Sequence, residues 1–283
     1  MKTSLLICHA ITSLHFGIGE GLSDIDLPTA REIATGLPIG PGSSLKGCLR
    51  DQCTDAKKAQ AIFGPEQNRA EEHVGSLQLT DLRLLCLPVR SLRGVFAWVT
   101  APYALERFNR DLELCGLPAL AIPSIAKREQ CLIGDDSVLG LQHGGAVAVV
   151  LQDLDLSSRT DSTFIAELAG KLSAIVPQAS RRLCVVHDDV MSFFCAASLQ
   201  VDARIALDDD SKTVKPGALW YEESLPPETI MAAVATAAPS RKVGMTDDTI
   251  MNDLDALLEK PLQVGGDATT GRGLVRLRRI GRV

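Results

Sequence analysis

The chain has 283 residues, 46% of them hydrophobic and 23% charged, which is enough to bury a sizeable core and too apolar for a disordered chain. Its 29 basic residues against 35 acidic ones leave a formal charge of −6, which excludes nucleic-acid binding through net charge and leaves room only for a local basic track. No run approaches the roughly 18 apolar residues of a membrane span. The opening MKTSLLICHAITSLHFG breaks at His9 and lacks a cleavage site, so the expectation is a soluble, cytoplasmic protein.

Residues 2–12 read as a buried strand. Residues 17–42 read as loop, because glycines at 17, 19, 21, 36, 40 and 42 and prolines at 28, 38 and 41 interrupt any period. From Ser44 to about Phe63, Leu45, Leu49, Cys53, Ala56 and Ala59 recur at helical spacing, with Ser43 or Ser44 as cap and Gly64-Pro65 as stop. Strands follow at 76–90 and 94–101, then a helix at 102–116 with Pro at its first turn and Gly at its end. Further strands are expected at 146–152 and 183–187 and helices at 161–175 and 188–195. Residues 197–226 read as a hairpin: Leu199, Val201, Ala203, Ile205 and Leu207 alternate, Asp208-Asp209-Asp210 turns, and Leu219, Trp220 and Tyr221 return. It is longer than a compact core needs, so it should project. Helices are expected at 226–238 and 247–258, then strand, glycine loop, strand to the end. The interspersed order implies mixed α and β in one domain spanning 1–283.

Eight cysteines lie among apolar neighbours with no Cys-x-x-Cys or zinc spacing, so they read as reduced core residues. Lys46 and Arg50, four apart at a helix start, share a face. Helix-start N–H groups and two cations suit a phosphate, and the Gly-Pro-Gly-Ser-Ser lead-in permits close approach, although a solvated face reads equally well. The Walker order is absent. GGDATTGRG (265–273) is a second glycine loop, with Arg272 inside it, and the two loops could bracket one polyanionic backbone. The basic end, Arg272, Arg276, Arg278, Arg279 and Arg282, reads either as part of that track or as a solubilising tail. Asp24 and Asp26 could serve as general base or metal ligand or merely cap the loop. His15 at the strand end could be an acid or base. Glu222 and Glu223 look like an exposed strand end, and Asp188-Asp189 after His187 suits a helix start better than a metal cluster.

LHFGIGEGLSDIDLPTAREIATGLPIGPGSSLKGCLRD (14–51) resembles the N-terminal signature of the RAMP (repeat-associated mysterious protein) superfamily, in particular the backbone subunits of the Cmr complex, the type III-B CRISPR effector. IFGPE, LPVRSLRGVFAWVTAPYALERFNRDLELCG, HDDV, GALWYEESLP and LQVGGDATTGRGLVRL follow in that family's order. The resemblance implies an α+β fold with a ferredoxin-like (RRM-like) palm, long insertions and a thumb hairpin within 197–226. It implies head-to-tail copies along a guide CRISPR RNA, other Cmr-type subunits as partners, no membrane, and cleavage of complementary target RNA. The activity would be that of a metal-dependent endoribonuclease working within the assembled complex. By the same resemblance, Asp26, in a catalytic loop at 16–42, is the catalytic residue with a divalent metal such as Mg2+, and His15 and Glu222 assist. Ser43, Ser44, Lys46, Arg50, Gly265, Gly266, Thr270, Gly271 and Arg272 would hold the guide. One position departs: where the family has a tyrosine two residues past that Glu, this chain has Ser224. The competing readings are a non-cleaving scaffold of the same complex and an unrelated enzyme that binds a phosphorylated small molecule.

Overall fold

In the computed structural model, residues 1–21, 24–66, 71–143, 145–240 and 244–281 are described. Arg282, the last member of the basic end, lies outside them. In chain order the elements are β1 (Lys2–Ala10), β2 (Ile39–Gly40), α1 (Gly42–Gln52), α2 (Ala56–Phe63), β3 (Leu77–Leu79), β4 (Leu82–Arg90) and β5 (Phe96–Thr100). Next come α3 (Pro102–Leu114), β6 (Gln130–Ile133), β7 (Leu141–His143), β8 (Ala146–Leu151), β9 (Leu154–Thr160), α4 (Ser162–Leu172), β10 (Leu183–Val186) and α5 (Asp188–Ala197). The hairpin β11 (Gln200–Leu207) and β12 (Val214–Ser224) precedes β13 (Ile230–Ala237), α6 (Asp247–Leu257), β14 (Leu262–Gln263) and β15 (Leu274–Ile280).

Thirteen strands form one sheet in the order β14-β15-β1-β13-β4-β5-β10-β6-β9-β8-β7, with β2 added beside β4 and β3 beside β13. β1 sits inside it, antiparallel to β13 and β15. Strands buried on both faces read as continuous apolar runs, and β1 does so: Leu6, Cys8 and Ala10 enter the core beneath α1, α2, α5 and α6, while Leu5 and Ile7 enter the one beneath α3 and α4. Among the described residues no helix is long and apolar enough to cross a membrane. The cysteines are free; Cys48 and Cys53 are half-buried and the other six buried, where burial pushes thiols such as Cys195 up to about 12.

Four expectations need correction. The helix expected at 226–238 is strand β13. Met231, Ala233, Ala235 and Ala237 pack to one side and Ile230, Ala232 and Val234 to the other, a pattern of period two that a run apolar at nearly every position conceals. The helix expected over 44–63 is two helices: Asp55 accepts from the N–H groups of Lys57 and Lys58 and starts α2 afresh. Neither Ser43 nor Ser44 caps α1; Pro41 holds the cap position and the serines lie in the first turn. The basic end is no tail but β15, whose Arg279 pairs with Asp255 while Arg278 donates to the carbonyl of Leu258. Two other readings hold, one in part. Asp188 and Asp189 lie in the first turn of α5, but His187 is the cap, its Nδ1 accepting the Asp189 N–H, while Asp188 takes the N–H of Tyr103; Asp208 takes the N–H groups of Asp210 and Ser211 in the hairpin turn.

Candidate functional site: a groove between the first helix, the glycine loop and the hairpin root

The segment between β1 and β2 looks irregular in sequence but is tied down backbone by backbone. Leu14 pairs with Leu225, Gly17 with Thr29, Leu27 with Glu222 and Arg31 with Pro38. Leu27 N–H donates to the Tyr221 carbonyl at 3.0 Å and Glu223 N–H to the Leu27 carbonyl at 2.9 Å, so residues 26–29 run along β12 like a short extra strand. Asp26 is thereby held on the root of the hairpin. Its side chain is exposed, Oδ2 accepts the Tyr221 N–H at 2.7 Å, and Oδ1 has no partner among the described residues.

Glu223 secures this arrangement, and the sequence reading passed over it. It is 4% exposed, with Oε2 taking the Thr29 N–H at 3.1 Å and Oε1 the Arg31 Nη2 at 2.7 Å. Its carbonyl accepts from His15 Nδ1 at 2.7 Å. That nitrogen must therefore carry a proton, and Nε2 is the ring nitrogen turned toward Gly17. A Cβ at Gly17 would stand 2.6 Å from Nε2, so glycine is the residue that fits over the ring. The pair expected to be an exposed strand end, Glu222 and Glu223, is buried, because β12 runs into the body just there.

The glycine loop comes to the same place. Gly266 N–H donates to the His15 carbonyl at 2.9 Å and Gly273 N–H to the Ser13 carbonyl at 2.8 Å. Gly265, at φ +75°, would drive a Cβ to 2.4 Å from that His15 oxygen. His15, Gly17, Pro41, Ser44, Gly265 and Gly266 line a pocket of about 320 Å³. On the other side of α1, Ser43, Lys46, Gly47, Arg50 and His73 line a larger one of about 840 Å³. The start of α1 thus stands between two pockets, with no acidic residue in its first turn and a close approach at Gly42 that no Cβ would allow. Among the described residues Lys46 makes no ion pair, and its ammonium remains available. Arg50 is partly committed: Nη1 donates to the carbonyls of Gly64 (2.9 Å) and Pro65 (3.0 Å), bracing the end of α2.

Three other expected residues sit differently. Arg272 is 9% exposed and its guanidinium is spent inside the protein, on Glu222, on Asp202 at 2.5 Å and on Ser224 Oγ at 3.3 Å. Both of its terminal nitrogens are thereby engaged within the protein. Glu222 is 2% exposed and its carboxylate accepts from Arg272. Thr270 is exposed and its hydroxyl donates to the Asp267 carbonyl, shaping the turn that ends at Gly271, φ +83°.

No three His, Cys, Asp or Glu side chains stand together as a metal cage among the described residues. At the hairpin root Asp26 offers an ion a carboxylate oxygen that has no partner among the described residues. Magnesium sites completed by substrate phosphates need no more than one or two carboxylates.

The family model for the RAMP superfamily matches residues 7–276. The chain is 33% identical to the CRISPR system Cmr endoribonuclease Cmr4 of Pyrococcus furiosus, over 98% of this chain and 95% of that protein. It is 26% identical to the CRISPR system CMR subunit Cmr4 of Saccharolobus solfataricus, over 95% and 94%. The crystal structure of oligomeric Cmr4 from Pyrococcus furiosus superposes with a TM-score of 0.76 at 25% identity, covering all of both chains. The sheet with its early irregular segment, the Lys46 helix and the late glycine loop, together with these matches, make the chain a member of the RAMP superfamily.

Proposed function

We propose that this chain is the backbone subunit of a type III-B CRISPR effector: copies line up along a guide CRISPR RNA with other Cmr-type subunits, in the cytoplasm, and cut complementary target RNA at regular intervals. The observation that carries the reading is the placement of Asp26, an exposed carboxylate pinned by Tyr221 N–H to the root of a hairpin that leaves the sheet. The likeness to an oligomeric endoribonuclease over the full chain supports it.

The palm we read as ferredoxin-like. Supporting this, β15-β1-β13-β4 are neighbours in that order and all antiparallel, with α1 and α2 following β1 and α6 following β13 on one face, the arrangement of a split βαβ unit. Residues 91–229 are then an insertion within a single domain, and β11–β12 is its thumb.

In the mechanism, Lys46, the start of α1 and the backbone of Gly265 and Gly266 hold guide phosphates, contacts that fix register without reading bases. The thumb forces a target nucleotide out of the stack and sets its 2′-hydroxyl in line with the next phosphorus, and such positioning alone lowers a barrier by several kcal/mol. Asp26 takes the 2′-hydroxyl proton, the oxygen attacks phosphorus as the bond to the 5′-oxygen of the next nucleotide breaks, and that oxygen leaves with a proton from water while Asp26 returns its own to solvent. The products end in a 2′,3′-cyclic phosphate and a 5′-hydroxyl. His15 and Glu222 act from beneath, shaping the groove. A divalent ion is part of the proposal: Asp26 would hold it, and it would offset negative charge on the reacting phosphate; chelation with EDTA tests it, and no step above depends on it.

The test is reconstitution with guide RNA and mapping of target fragments: cuts at regular spacing, lost in Asp26→Ala, are expected. One observation favours a non-cleaving scaffold instead, namely that Asp26 already serves as a backbone acceptor. In that case Asp26→Ala would loosen the hairpin and leave cutting at the parent rate.

A further inference from the structure

At the root of the hairpin lies a partly buried cluster of charges of which the mechanism uses only Glu222 and His15, and these only to shape the groove. β11 contributes Asp202 and Arg204, β12 contributes Glu222, the glycine loop contributes Asp267 and Arg272, and His15 faces them from the segment after β1. Arg204 Nη2 lies 3.2 Å from Asp267 Oδ1, and its Nε lies 3.8 Å from Glu222 Oε2. Arg272 reaches Glu222 and Asp202, and its Nη1 is 3.9 Å from Asp267 Oδ2. Three carboxyl groups thus stand against two guanidinium groups in a place where Glu222 is 2% exposed.

Asp267 shows where the imbalance is resolved. Its Oδ2 is buried and receives no hydrogen bond among the described residues, and Glu222 and Asp267 both border the Arg204 and Arg272 guanidinium groups, which brings the two carboxyl groups together. One proton between the two carboxyl groups cancels the excess charge and supplies that oxygen with a donor. Consistent with this, burial and the Asp267 carboxylate hold Glu222 above the ordinary range against the pull of Arg272, and the hydrogen bond from Glu222 holds Asp267 below it. The backbone of Asp267 lies in the left-handed region at φ 61°, where glycine or asparagine is the easier residue, and its side chain caps nothing locally.

We propose that Asp267 is a positioning residue: it accepts a hydrogen bond from the Glu222 carboxyl group and, with Arg204 and Arg272, clasps the hairpin root to the glycine loop, so that the arm holds one orientation relative to the guide-holding surface. This rests on the reading of arm and loop as RNA-contacting parts.

The test compares Asp267→Gly with Asp267→Asn. At φ 61° glycine is unstrained, so the first removes the side chain that faces Glu222 and Arg204 without straining the backbone, while the asparagine oxygen still accepts from either. In the reconstituted complex, Asp267→Gly should slow target cleavage about tenfold at saturating target, a typical cost of misplaced reacting groups, with guide affinity retained and the rate restored in Asp267→Asn. In the full chain without RNA, amide exchange at the β11–β12 root should quicken in Asp267→Gly only, and the 13C signal of the Glu222 carboxyl should show its proton lost at lower pH than in the parent. Equal rates and exchange in Asp267→Gly and the parent, or an asparagine variant no better than the glycine one, would overturn the clasp. If the parent complex cuts nothing, the functional reading fails, and the exchange and carboxyl measurements still decide this one.

Discussion

Glu223→Ala removes the group that ties the Asp26 segment to the hairpin. Two hydrogen bonds are lost, one to the buried N–H of Thr29 and one to Arg31, whose side chain is 27% exposed. A hydrogen bond to a charged group contributes about 1.5–3 kcal/mol, and a buried N–H left without an acceptor costs about 1–3 kcal/mol more. Solvent screening at Arg31 trims the ion-pair share, so the expected loss is about 3–4 kcal/mol. At roughly 2–4 °C per kcal/mol for a chain of this size, the melting temperature should fall by on the order of 10 °C. Calorimetry on the isolated chain measures this, and hydrogen exchange should place the loosening at residues 26–31. A loss below about 1 kcal/mol would refute the reasoning, because it would mean that the backbone pairings hold the segment without this carboxylate.

Lys46→Ala should weaken guide binding regardless of sequence and reduce the salt slope by about one; filter binding across a salt series checks it. Gly265→Ala should destabilise the chain by about 2 kcal/mol or more, since a backbone oxygen blocks the methyl group and the φ is unfavourable, and denaturant titration reads this directly. Asp111 is buried against Arg83, and burial outweighs the guanidinium in raising its carboxyl above the ordinary range. A raised carboxyl contributes its stability below the unfolded value of about 3.9 and loses it as pH climbs through the folded value. The stability of the parent minus that of Asp111→Asn should therefore fall from acid toward neutral pH, and a difference that grew with pH would contradict the assignment.

Where the sequence carried a period or a cap, the fold was legible. The first turn of α3 at Pro102, the acidic start of α5 and the alternation along β11 all read correctly from local chemistry. β13 did not, because alanines that let helices close on both faces of a central strand give no alternation to see. The break between α1 and α2 carried a signal in Thr54-Asp55 that the longer apolar period masked. At the site, the residue types at positions 15, 26 and 46 pointed to the groove, but what positions them was invisible. Glu223, Thr29 and Arg31 are far apart in the chain, and nothing local says that a glutamate at a strand end will be buried there as an anchor. Arg272 is a similar case: an arginine in a glycine loop suits a phosphate, and nothing local shows that Glu222 and Asp202 meet its guanidinium in the folded chain.

The central claim is that Asp26 does chemistry rather than hold the hairpin, and Asp26→Asn separates the two. The amide oxygen can still accept the Tyr221 N–H, so the hairpin root, guide binding and target binding should persist while the ability to take a proton is gone. Target cleavage by the reconstituted complex should then vanish at every regular site. Cleavage at the parent rate and spacing would contradict the account.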